Sequence, residues 1–132
     1  MNKKEQSSLK EQITVLRTLR KALAAGLSEE ELQGLSGALK EQADQLERLS
    51  ETLAEALEAM PENLQFGPKG EAAEEEIAIL EDGRDLLSEV LSFWEAPGEE
   101  DACKDADARR AYWREAAEVL GEAIDLLSDL TA

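Results

Sequence analysis

Leucine and its apolar companions recur every three or four residues along most of the chain, and that spacing predicts helices. Leu9, Ile13, Leu16, Leu19 and Leu23 form the first such stripe. Ser8 and Glu11 precede it in the spacing of a capping box, and Gly26 follows it at a C′ position. A helix is therefore expected over about residues 8–25. Ser28 with Glu31 repeats the capping signal. Leu32, Leu35, Leu39, Leu46, Leu49, Leu53, Leu57 and Met60 then carry a second helix over about 29–60, with Gln42 interrupting a nearly heptad seam. Pro61, Gly67, Pro68 and Gly70 mark a loop over 61–70. A third helix is expected over 71–95, closed by Pro97–Gly98, and a fourth over 101–131. Trp113, Ala117, Leu120, Ile124 and Leu127 share one face of the last helix. No alternating strand pattern and no internal repeat is found. The fold class read from this pattern is all-α. It is a single helical domain over residues 1–132, built as a four-helix antiparallel bundle or paired helical hairpins with coiled-coil-like packing.

Folding the first hairpin at Gly26 sets Leu23 against Leu32, Leu16 against Leu39 and Leu9 against Leu46. Leu49, Leu53, Leu57 and Met60 then run past the first helix and need cover from the later helices or from another chain. On the third helix, Ile79, Leu80, Leu86, Leu87, Val90, Leu91, Phe93 and Trp94 span an arc of roughly 200° at about 100° per residue. One packing face needs little more than about 100°. That helix is either central to the bundle or part of a dimer interface. A homo-oligomer is the reading, with Ile79, Leu86, Val90, Phe93, Leu49, Leu53 and Leu57 as its candidate interface. Gly34, Gly37 and Gly83 are read as sites of close helix approach, and Arg84 as a boundary ion pair with a nearby carboxylate. A turn near residue 99 brings Trp113 close to Leu86 or Leu87. Phe66, on the Pro/Gly loop, either caps the end of the bundle or anchors a partner.

Charge changes the picture from fold to function. The chain holds 31 acidic and 14 basic residues, a formal charge of −17 over 132 positions, and no histidine. Residues 1–27 carry six basic and two acidic side chains, whereas residues 71–96 carry one and nine. The side chain best suited to neutral-pH proton transfer and to transition-metal ligation is missing. So acidic a chain repels nucleic acid, whose protein affinity rests on Lys and Arg at phosphates. A single cysteine, Cys103, permits no internal disulfide and is read as an inert residue near a helix start. No apolar run follows Met1–Asn2–Lys3–Lys4 and none reaches the roughly 20 residues a membrane span needs, so a cytoplasmic protein is expected.

Enzyme motifs are lacking: there is no phosphate loop, nucleophile elbow or histidine-dependent site. The one enzymatic alternative is a Mg²⁺-dependent all-α nucleotide pyrophosphohydrolase, using Glu71–Glu74, Glu115–Glu118 and Glu122–Asp125 as carboxylate pairs. On a helical wheel the last two pairs point away from the apolar centre, and a metal cluster inside a bundle needs inward carboxylates. No catalytic residue, cofactor or metal is therefore assigned.

The acids instead form stripes: Glu71, Glu75, Asp82, Asp85 and Glu89 on the third helix, and Glu115, Glu118, Glu122, Asp125 and Asp129 on the fourth. At 1.5 Å rise such spacings put a charge about every 5 Å along each stripe. Two stripes together approximate the linear charge of duplex DNA, diluted about one and a half times. The expected function is non-enzymatic binding of a partner protein. The chain imitates a nucleic-acid backbone and blocks a basic DNA- or RNA-binding protein such as a restriction or CRISPR nuclease. The alternative is a structural or adaptor coiled-coil oligomer that binds through apolar helix faces.

Overall fold

The computed structural model describes residues 3–25, 29–94 and 106–131. They form α1 (Lys3–Ala25), α2 (Glu29–Glu58), α3 (Glu62–Gln65), α4 (Pro68–Ser92) and α5 (Ala106–Ser128), with a closing 3-10 turn at Asp129–Thr131. No strand occurs among the described residues. The protein is an all-α bundle. Gly26, Ser28, Pro97–Gly98, Cys103 and the expected start of the last helix at 101 lie outside the described residues.

Several boundaries differ from expectation, among them the end of α4, at Ser92 rather than 95. α1 begins at Lys3, five residues before the Ser8 capping box. Lys, Glu and Gln are good helix formers, and Glu5 in the first turn suits the positive end of the helix dipole. α2 stops at Glu58 rather than at 60. The segment 61–70 is mostly helical rather than an extended loop: Pro61 leads into the single turn of α3, and α4 starts at Pro68, a position where proline is favoured. Gln65 secures this corner. Its Nε2 donates to the carbonyls of Glu58 at 3.1 Å and Met60 at 2.7 Å, satisfying the end of α2. Gly70 is required beside it, because a Cβ there would stand 1.8 Å from the Gln65 carbonyl oxygen.

The four long helices form a ring in which α1 neighbours α2 and α5, and α4 neighbours α2 and α5. All four neighbouring pairs are antiparallel. Gln12 Nε2 donates to Gln45 Oε1 at 3.0 Å between α1 and α2, close to the register read from the leucine stripes. Arg84 reaches Glu47, and Trp94 Nε1 donates to the Leu32 carbonyl at 2.9 Å, between α4 and α2. Gly83 meets Leu127 between α4 and α5, and Arg20 crosses Gly121 between α1 and α5. Leu9, Leu16, Leu23, Leu39, Leu46, Leu80, Leu87, Val90, Leu120 and Leu127 are fully enclosed.

The wide apolar arc of α4 is used within the chain, since α4 packs on both α2 and α5. α4 also covers the distal part of α2, where Leu53 is buried and Leu49, Leu57 and Met60 are half-buried. The aromatic register is shifted from expectation. Trp113 stacks on Trp94, with ring centroids 4.7 Å apart, and Tyr112 lies against Phe93 at 5.1 Å. Leu86 and Leu87 therefore sit about two turns from Trp113 along α4. The paired aromatics set this register from the end of α4, and the expected turn near residue 99 lies outside the described residues.

Of Gly34, Gly37 and Gly83, the glycines read as close approaches, only Gly83 marks one. A Cβ there would lie 2.9 Å from Leu127 Cδ2, whereas nothing lies within 4 Å of one at Gly34 or Gly37. Gly83→Val is expected to cost about 1–3 kcal/mol through overpacking against a fully buried leucine. Thermal unfolding followed by circular dichroism checks it, and an unchanged midpoint would show that Leu127 yields freely.

Candidate functional site

The ten acidic residues of the two stripes are all exposed. The reason is periodic. On α4 the buried positions Leu80, Gly83, Leu87 and Val90 occupy one face, and Glu71, Glu75, Asp82, Asp85 and Glu89 fall opposite it. On α5 the same opposition holds between Trp113, Ala116, Leu120, Ala123 and Leu127 inside and Glu115, Glu118, Glu122 and Asp125 outside, with Asp129 in the turn beyond. The two helices are neighbours in the ring, so both stripes lie on one side of the bundle.

Their overlap is partial. Gly83 faces Leu127, so Asp82 stands about level with Asp129, and Glu89 about level with Glu122. Glu71 and Glu75 extend past the end of α5. The shared length runs from about residue 79 to 94 on α4, or about 24 Å. Eight of the ten carboxylates fall along it, roughly one per 3 Å against about one per 1.7 Å in duplex DNA.

Counter-charge within the face is sparse. Arg84 sits at its α2 edge, 3.2 Å from Glu47 and 3.1 Å from Asp85. Its pKa is held above the usual value first by the hydrogen bond to Asp85. Desolvation opposes this, and the charges of Asp85, Glu47 and Glu81 add to it. Asp85 is thereby the one acid of the α4 stripe tied to a cation among the described residues. The boundary ion pair expected of Arg84 is thus present, made across helices as well as to its neighbour. Arg110 and Arg114 lie exposed near the start of α5.

The carboxylate pairs weighed for Mg²⁺ are likewise exposed: Glu71 with Glu74, Glu115 with Glu118, and Glu122 with Asp125. They do not converge in the bundle interior. Among the described residues no group of three or more Cys, Asp or Glu side chains is placed to hold a metal ion. No helix of the described residues is long and apolar enough to cross a membrane.

The candidate oligomer interface is scattered in its burial. Val90 and Leu53 are inside the core, Leu49, Leu86 and Phe93 pack against it, and Ile79 and Leu57 are half-buried. Phe66 does not cap the bundle. It is 83% exposed, beside Leu64 at 42%, on the corner between α3 and α4.

Sequence reasoning passed over Gln12, which lies on the inward stripe of α1 and is 6% exposed. The hairpin register would have exposed it, because pairing Leu9 with Leu46 sets Gln12 beside Gln42 and Ala43. Comparison with protein-family models, with curated proteins and with solved structures finds no match to this chain.

Proposed function

We propose that this chain is a non-catalytic binding protein whose α4/α5 face occupies a basic, nucleic-acid-binding surface on a partner protein. The observation that carries the reading is the alignment of two exposed carboxylate stripes on adjacent antiparallel helices, with Arg84 bridging Asp85 and Glu47 at the α2 edge. Ordinary solvated helices intersperse Lys with Glu at i,i+4; here the outward faces of both helices are acidic for most of their length. Such a surface attracts Lys- and Arg-lined grooves over a distance set by the ionic strength.

Immobilised protein should capture, from a lysate of its source or host, a basic protein that leaves at moderate salt and is displaced by added duplex DNA or RNA. Exposed pairs are screened as the Debye length falls from about 10 Å at 0.1 M to 3 Å at 1 M. A partner that stays bound at high salt and ignores nucleic acid would defeat the reading and favour binding through apolar faces, which salt strengthens.

A further inference from the structure

Across the bundle from the acidic face, α1 and α2 meet only lightly, since α1 packs mainly on α5 and α2 mainly on α4. Between them lies a cleft of about 220 Å³ lined by Ser8, Glu11, Gln12, Val15, Gln42 and Gln45. Three glutamines, Gln12, Gln42 and Gln45, line this cleft outside the leucines of the two helices. Gln12 is 6% exposed and Gln42 8%. Gln12 Nε2 donates to Gln45 Oε1, but Gln12 Oε1 and Gln42 Oε1 are both buried without a donor. An orphaned buried acceptor destabilises a fold, and an apolar side chain of similar volume would avoid that loss. Two such acceptors lining one cleft call for a ligand that brings donors.

We propose that this cleft receives the arginine side chain of a bound peptide segment. A glutamine amide turns about its last torsion with little preference between the two orientations, so each orphaned oxygen can be presented to the cleft, Gln12 giving up its bond to Gln45 as it turns. Glu11 stands at its rim, and Glu41 lies one turn from Gln45 on the same edge of α2. Guanidinium supplies five N–H donors in a planar fork and no acceptor, which matches carbonyls on two facing helices with a carboxylate at the mouth. A lysine ammonium is a compact point donor and spans such a pair less well. Val15, 39% exposed, offers apolar surface for the arginine stem. The proposal does not rest on the reading of the α4/α5 face.

The test is a titration of the full ¹⁵N-labelled chain with acetyl-Gly-Arg-Gly-amide, following the side-chain amide signals of Gln12, Gln42 and Gln45. Saturable shifts of all three are expected, at least tenfold weaker with the citrulline or lysine counterpart. In the Gln12→Leu, Gln42→Leu double variant the helix signal should persist, the unfolding midpoint should rise and the shifts should vanish. The proposal is overturned if the glutamine amides do not respond or if lysine and arginine peptides act alike. It also fails if the shifts survive in the leucine variant or fall only on the backbone amides of α4 and α5.

Discussion

Truncating Trp113 to alanine is expected to unfold a large share of the molecules at room temperature. Trp113 is 6% exposed and touches two aromatic neighbours, Trp94 at 4.7 Å and Tyr112 at 5.1 Å between centroids. Removing a buried aromatic costs about 3–5 kcal/mol in lost transfer energy and residual cavity. The aromatic pairs add about 0.5–1.5 kcal/mol each. Small domains hold only about 5–15 kcal/mol in total. The effect is amplified by position. Trp94, stacked on Trp113, donates its indole N–H to the Leu32 carbonyl, and Tyr112 donates its hydroxyl to the Phe93 carbonyl. One cluster thus ties α5 to α4 and α4 to α2. Equilibrium urea unfolding followed by circular dichroism measures the loss. Trp113→Phe should recover more than half of it, and a truncation that costs under about 1 kcal/mol would show that the cluster is peripheral.

Reversing Glu115, Glu118, Glu122 and Asp125 to lysine should abolish partner binding while leaving helicity intact. All four are exposed, so the substitutions touch no core contact. Placing like charges across an interface costs several kcal/mol, and about 2.7 kcal/mol already corresponds to a hundredfold loss of affinity. At least that loss is expected, with a flatter dependence on salt. Net charge alone must be separated from the face that bears it. Reversing Glu30, Glu41, Glu51 and Glu55, four exposed acids of α2, makes the same change in net charge and should leave binding within a few-fold of the parent. Equal loss in both variants would mean that bulk charge acts and no particular face does.

The helices and the inside of the bundle were legible because one physical signal, the 3.6-residue repeat, decides both. Leu9, Ile13, Leu16 and Leu23 are buried as the stripe requires, and Gln42 sits at the buried seam position its spacing assigned. The acidic stripes were legible for the complementary reason, since the residues opposite a buried face have only solvent to meet. What eluded the sequence depends on pairings between distant segments. The light contact of α1 with α2, although they are consecutive, follows from how α5 fits beside α1, where Arg20 lies over Gly121. The Trp94–Trp113 register belongs to the same class. Gly70 looked like a breaker, whereas its missing side chain admits the Gln65 carbonyl and lets α4 begin early. Local rules describe the chain from within one element, and these features are set between elements.

The pairing of α1 with α5 also fixes the order in which the fold can be completed. Helical bundles fold fast because most of their contacts are local, which gives a low contact order. Here the first and last helices close the ring, and contacts such as Arg17 to Ser128 join positions 111 residues apart. The α2–α4 hairpin can assemble as soon as its own residues are made. α1 leaves the ribosome first and keeps Leu9, Ile13 and Leu16 partly uncovered until α5 follows, some seconds later at about 5–20 residues per second. During that interval the growing chain is an incomplete bundle with an open apolar seam. The mutual repulsion of heavily acidic chains then serves assembly, holding nascent copies apart until the last helix arrives.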